Sequence, residues 1–361
     1  MKTLKIGVVL LALFLATMVI VPMVNAQEQA TTGANVQLPN LQVDNSQPNL
    51  VIQNGFSLSK GYNLTEIPEG SIIQHSTGGI TRVFDSNGKQ ISISNDADSP
   101  KIPTPHGYIE ADKILGVPEG AYIQVVDNVT TNVLVNNTRV LTVLSQDNGQ
   151  IPTASTSGWI ESAQSANIGN IQEYIATWNV PSSPANPNTG AINYIFNGLQ
   201  PSYSNGIVQP VLEYNVYTTN HAWTARPWYV DSNNHGYYPV TPINTAPGHL
   251  IEGEVSWNSN VNRWYVMIED LSTGGSLSEL STNAPNIGTT NDFAVCALEG
   301  YYINNNNDVA GTTTFNNMQV YNTNWQPISL SWHQQIATNF GLSNLGVSWP
   351  LFGFSPVTLS T

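Results

Sequence analysis

Period-two alternation recurs along the C-terminal part of this chain and limits what it can fold into. Tyr174, Ala176 and Trp178 alternate with Ile175, Thr177 and Asn179, and Ile192, Tyr194 and Phe196 alternate with Asn193, Ile195 and Asn197. Leu250, Glu252 and Glu254 oppose Ile251, Gly253 and Val255; Trp264, Val266 and Ile268 oppose Arg263, Tyr265 and Met267. Successive strand residues face opposite sides of a sheet, so short segments of this kind between Asn-, Gly- and Pro-rich turns predict an antiparallel β-sandwich. The only helical turn predicted lies near Trp332–Asn339.

The alternation belongs to a domain over 157–361. All nine Trp lie between Trp159 and Trp349, whereas no Lys follows the small, polar, turn-forming stretch at 146–156, which reads as a linker. Before it, 56–145 reads as a small β-rich N-terminal module with an internal echo: Ile67-Pro-Glu-Gly-Ser-Ile-Ile resembles Val117-Pro-Glu-Gly-Ala-Tyr-Ile, and each copy leads into strand-like sequence, Ile80–Phe84 and Asn132–Val143. Residues 27–55 are Gln-, Asn- and Thr-rich and read as a flexible lead-in. Residues 1–26, with Lys2 and Lys5 before the apolar run Ile6–Val24 and then Asn25-Ala26, read as a secretory signal peptide. The expectation is a secreted, extracellular monomer without stable membrane association once that segment is removed.

Charge is scarce. Charged residues make up 9% of the chain and the net charge is −14, which argues against nucleic acid as a partner. From residue 156 onward the ionisable cations other than His are Arg226 and Arg263. Acid denaturation works largely through paired carboxylates and buried histidines, so a surface of Asn, Ser, Thr and Gln suits an acid-tolerant protein, and equally a polar lectin. Cys296 is the only cysteine and reads as a small buried hydrophobe rather than a nucleophile. HExxH, CxxC and GxSxG patterns are absent, and neither metal nor cofactor is expected.

Two segments hold candidate chemistry. Along Gly206–Val216, Ile207, Gln209, Val211, Glu213 and Asn215 share one strand face, while Val208, Leu212, Tyr214 and Val216 share the other, taken as the core face. Gln209 and Glu213 then lie on the outer, concave face of a sheet. Along Asp292–Ile303, Glu299 interrupts an apolar run; a carboxylate there needs hydrogen bonds, and partial burial raises its pKa, which marks functional candidates.

In order along the chain, Tyr174-Ile-Ala-Thr-Trp-Asn-Val-Pro-Ser, Ile195-Phe-Asn-Gly-Leu-Gln200, Ile207-Val-Gln-Pro-Val-Leu-Glu213, Arg226-Pro-Trp-Tyr229, Ile268-Glu-Asp-Leu-Ser-Thr-Gly274 and Ala297-Leu-Glu-Gly300 resemble the motifs of the glutamic peptidases, or eqolisins. The resemblance covers about 170–325. It departs at Phe196 (Trp in the family), Gln200 (Asp), Pro227 (Glu) and Gly300 (Trp), while Glu213 keeps a carboxylate where the family has Asp. It implies two antiparallel, seven-stranded sheets of the concanavalin A-like or jelly-roll type and an acid endopeptidase that binds polypeptide extended in a groove. Gln209 and Glu299 would be its catalytic pair: Glu299 the general base on a water and then the acid to the leaving nitrogen, Gln209 the group that orients the water and stabilises the oxyanion. Glu213, Phe196, Gln200 and Trp228 would surround the substrate and the pair. The first module would be a propeptide or a permanent binding module. Two other classes share these features: a carbohydrate-binding or adhesion sandwich, and another hydrolase using two carboxylates, either a neprosin-like peptidase or a glycosidase, with Glu252 and Glu254, or Glu213 and Glu299, as the pair.

Overall fold

A computed structural model describes residues 38–44, 67–146, 158–165, 168–201, 206–216, 221–285, 287–288, 292–351 and 355–361. The signal segment, most of the lead-in and the linker lie outside these residues. Residues 158–361 contribute strands to two sheets packed face to face. The larger runs Gly346–Ser348, Val357–Ser360, Thr313–Asn322, Ile171–Asn179, Leu250–Asn258, Arg263–Asp270 and Ser276–Thr282. The other, called here the groove sheet, runs His333–Ile336, Trp159–Ser165, Asp292–Tyr301, Ile192–Pro201, Ile207–Tyr214, Trp223–Val230 and Gly236–Pro239, with Ile243–Thr245 beside Trp223–Val230. Among the described residues, 158–361 thus supply seven strands to the larger sheet and eight, Ile243–Thr245 included, to the other, against the seven each that the resemblance implied. The predicted helical turn near Trp332–Asn339 is not formed: His333–Ile336 is an edge strand antiparallel to Trp159–Ser165. A free sheet edge satisfies that backbone better than one isolated helical turn, which fixes several residues for a single hydrogen bond.

Between the sheets, Tyr174, Trp178, Val255, Val266, Ile268 and Leu280 meet Ile195, Leu199, Val208, Leu212, Cys296 and Leu298, all buried. Each aliphatic side chain removed from water there contributes roughly 1.5–3 kcal/mol, so this layer is the main source of the sandwich's stability. Cys296 is a free thiol hydrogen-bonding distance from the Tyr174 hydroxyl (3.1 Å), and burial pushes it up to about 12, an inert core position.

The first module is continuous with both sheets. Tyr122–Val125 pairs parallel to Ser276–Thr282 and carries the larger sheet on through Thr130–Val135, Thr138–Ser145, Ser71–Ser76, Ile80–Phe84 and Gln90–Asn95, making thirteen strands. Ile114–Val117 pairs parallel to Gly236–Pro239 on the groove sheet. The echo is structural: Pro68-Glu69-Gly70 and Pro118-Glu119-Gly120 form the same turn, each closed by a 3.2 Å hydrogen bond from the next N–H to the proline carbonyl, with Gly70 and Gly120 at φ +80° and +70°. Each turn opens a three-stranded meander. The alternation over Asn132–Val143 is broken at Asn136-Asn137, whose φ values of 50° and 61° make a two-residue hairpin. Within the lead-in, Gln42 bridges to Lys89 and Asp44 bonds the Gln90 side chain, so 38–44 runs along the module.

Candidate active site

A two-stranded hairpin, Lys101–Thr104 with Gly107–Glu110, projects from the module onto the face of the groove sheet that turns away from the core between the sheets, the face expected to be concave. Its Ile102 and Ile109, with Ala111 and Ile114, pack into one buried cluster with Trp159, Ile192, Tyr194, Phe196, Ile207, Val211, Trp228, Tyr238, Ala297 and Tyr301. The strand faces follow the predicted alternation: Val208, Leu212 and Tyr214 turn to the core between the sheets, Ile207 and Val211 to the concave face. Val216, assigned to the core face from alternation, instead joins the concave cluster, because Asn215 at φ +62° ends the regular strand before it. The concave face is not solvated as the strand pattern suggested, since the hairpin covers it.

Gln209 and Glu299 are fully buried beneath the hairpin tip, Pro105-His106. Gln209 Nε2 donates to the Pro105 carbonyl at 2.9 Å. Glu299 Oε1 accepts from the Gly107 N–H at 3.1 Å and from the Tyr301 hydroxyl. Among the described residues Gln209 Oε1 and Glu299 Oε2 accept no hydrogen bond of ordinary geometry. Burial pushes the Glu299 carboxyl up to about 8, against the pull of hydrogen bonds from Tyr301, Gly107 and Trp159. Gly158 lies against it: a Cβ there would come within 2.6 Å of Glu299 Oε1 and of the Tyr301 hydroxyl, so only glycine fits without displacing them.

The two side chains reach the tip from different rows of the sheet. Both of their strands flank Ile192–Pro201. Glu299 pairs with Tyr194, which pairs with Glu213. Gln209 lies beside Gly198, where a Cβ would sit 3.1 Å from the Gln209 Cβ, and Gly198 pairs with Val295. An apolar residue therefore faces Gln209 across the middle strand, and Glu299 is four residues further along its own strand.

Glu213 is committed elsewhere. Its Oε2 accepts from Arg226 Nε at 2.9 Å and Thr224 Oγ1 at 3.3 Å, and its Oε1 accepts from Trp228 Nε1 at 2.7 Å, all buried. Burial still raises its pKa, with Arg226 opposing. Trp228 stacks on Tyr238, and Phe196 meets Trp159 edge-on. Gln200 is half-buried opposite Phe293, beyond the row of Gln209. Of the alternative carboxylate pairs, Glu213 and Glu299 are separated by Tyr194. Glu252 and Glu254 lie on the other face of the larger sheet, where Glu252 pairs across with Glu269. Among the described residues no cluster of His, Cys, Asp and Glu suits a metal ion. Tyr194 and Tyr301 are residues beside Glu299 that the alternation pattern did not single out: Tyr194 shares its row, and Tyr301 lies two residues along its strand.

No family model matches the chain, and no curated protein sequence does. Among solved structures, scytalido-glutamic peptidase with a peptide-based transition-state analog matches over 56% of this chain and 97% of that one, at 17% identity and a TM-score of 0.41. A heptameric SAP-like pentraxin from Limulus polyphemus matches over 45% of this chain and 70% of that one, at 8% identity and TM-score 0.28. Basic winged bean lectin with Tn-antigen matches over 50% and 84%, at 12% identity and TM-score 0.21. At these values the likeness is one of β-sandwich architecture, shared by a peptidase and by lectins.

Proposed function

We infer that this chain is a secreted, cofactor-free acid endopeptidase in a self-covered form, with Glu299 as general base and Gln209 as oxyanion donor. The observation that carries the reading is that one peptide turn engages both: the Gln209 amide takes a backbone carbonyl and the Glu299 carboxylate a backbone N–H two residues on. Hydrolysis needs a donor at the carbonyl oxygen that becomes negative and a carboxylate that first takes a proton from water and then delivers it to the leaving nitrogen. Gln209 Oε1, which accepts no ordinary hydrogen bond among the described residues, suits one proton of that water, and the Glu299 carboxylate takes the other. Module 56–145 acts as a covering propeptide, and cutting at about 145–157 begins its removal.

The test is to incubate the purified full-length protein with an unfolded protein substrate from pH 3 to 7, following cleavage and chain size together. Glu299→Gln should lower turnover by about 10²–10⁴ and Gln209→Ala by about 10²–10³. Equal cleavage by Glu299→Gln and the unmodified chain would remove Glu299 from the mechanism. A second reading, a peptide-binding sandwich without hydrolysis, is favoured by Val295 standing across the sheet from Gln209. It predicts no cleavage at any pH.

A further inference from the structure

The hairpin is bound as a peptide would be, and the contacts that hold it extend beyond Gln209 and Glu299. Three successive carbonyls, two on its first strand and one at its tip, each accept a side-chain hydrogen bond from the sheet below. Tyr194 donates its hydroxyl to Pro103 O at 3.0 Å, Tyr301 shares its single hydroxyl proton between Thr104 O at 3.0 Å and Glu299 Oε1, and Gln209 donates its amide to Pro105 O at 2.9 Å. The tyrosines stand on the two neighbouring strands Ile192–Pro201 and Asp292–Tyr301, both rings are buried, and they meet edge-on with centroids 6.2 Å apart. On this side of the tip the groove reads carbonyl oxygens, so proline, which lacks only the N–H, is accepted at 103 and 105 without loss of a groove contact.

The geometry also accounts for a bound turn that is not itself in register for hydrolysis. Hydrolysis by this pair requires that the carbonyl at Gln209 and the nitrogen at Glu299 belong to one peptide bond. Here Gln209 holds the carbonyl of Pro105, but Glu299 holds the N–H of Gly107; the intervening His106 N–H bonds back to Thr104 Oγ1 at 3.2 Å, and Thr104 Oγ1 donates to Gly107 O at 2.8 Å. The two-residue turn places the next nitrogen, rather than the leaving one, at the carboxylate. Gly107 at φ +96° makes this path available.

We propose that Tyr194 and Tyr301 are substrate-positioning residues that bind the carbonyls of the third and second residues before the cleaved bond, and that the preferred substrate is an extended segment with proline or another apolar residue before that bond and an aliphatic residue at the place of Ile102. The proposal rests on the peptidase reading for its substrate arm and on the hairpin contacts alone for its second arm.

The substrate arm compares peptides built on Ile-Pro-Thr-Pro with versions shortened by one and two residues from the amino end. Lengthening to include the third residue before the bond should lower KM about 3–10-fold in the unmodified protein and less than twofold in Tyr194→Phe, with kcat changed less than twofold, as for one net hydrogen bond. Tyr301→Phe should lose the same factor at the second residue and also move the pH profile, because Tyr301 bonds Glu299. The second arm measures hydrogen exchange of the 101–110 amides in the full-length chain, where Tyr194→Phe should raise exchange by a similar factor. Identical length dependence in Tyr194→Phe and the unmodified protein overturns the substrate assignment. Unchanged exchange overturns the clamp. Absence of cleavage throughout, with exchange raised as stated, overturns the peptidase reading and the substrate assignment while the clamp stands.

Discussion

Replacing His75 by Gln should flatten the pH dependence of hairpin release between about pH 6.5 and 4.5. Among the described groups that meet water when the module lifts are Glu299, His106 and His75. Glu299, pushed up to about 8 by burial, favours the covered state in acid; its contribution is complete below its ordinary value of 4.5 and lost as pH rises through about 8. At about 1.4 kcal/mol per pH unit this amounts to roughly 5 kcal/mol. His106, lowered by burial from 6.5 to about 4, has the opposite sign. Its contribution is present above 6.5 and lost as pH falls through about 4, roughly 3 kcal/mol in all. Between 6.5 and 4.5, covering the groove takes up one proton at Glu299 and releases one at His106, and the two cancel. His75 decides the balance. It is buried, its Nδ1 lies 2.7 Å from Thr81 Oγ1, which donates on to Asp96, and its ring lies 4.7 Å from that of His235, itself bonded to Asp231. Burial first, then His235 and Lys113, hold it well below 6.5. Its protonation therefore drives the module off as pH falls. The open fraction, read as hydrogen exchange of the 101–110 amides corrected for intrinsic rates, should rise as pH falls in the unmodified protein, by at most about tenfold per pH unit, and more steeply than in His75→Gln. Equal slopes would refute the argument.

Arg226→Ala should cost about 3–5 kcal/mol in urea unfolding at pH 7, because it leaves the Glu213 carboxylate buried without its cation. On the outer face of the larger sheet, burial and then Glu254 and Glu269 raise the pKa of Glu252, so the folded state binds protons more tightly there and gains stability as pH falls. Glu252→Gln should raise Tm at pH 7 and leave it nearly unchanged at pH 4. Gly158→Ala should lower activity by displacing Tyr301 and Glu299, measured as turnover on a protein substrate at the pH optimum.

The strand segments and the core face were readable because they follow from local alternation: Val208, Leu212 and Tyr214 pack between the sheets as their spacing requires. What covers the opposite face was not readable, because it is set by residues far away in the chain. Glu299 meets Gly107 across 192 residues, and Gln209 meets Pro105 across 104. Pro103 and Pro105 also argue locally against a strand, yet their missing N–H groups leave no unsatisfied donor where the groove supplies only hydroxyl and amide donors on this side. Glu299 was recognisable as a carboxylate in an apolar run, whereas its row was not: that Tyr194 and Glu213, rather than Gln209, share it depends on pairing register.

The module is joined to the sandwich by two strand seams. Four residue pairs link Ile114–Val117 to Gly236–Pro239, and two link Tyr122–Val125 to Ser276–Thr282. Cutting the linker breaks neither, so the severed halves stay together as one particle until the apolar plug of Ile102 and Ile109 withdraws. Once it does, Gly236–Pro239 and Ser276–Thr282 become open sheet borders with unpaired backbone groups, the kind of border that recruits strands from other chains. A freed sandwich would then be most prone to self-association at the moment its groove opens, and an excess of intact chain would serve as a donor of matching strands.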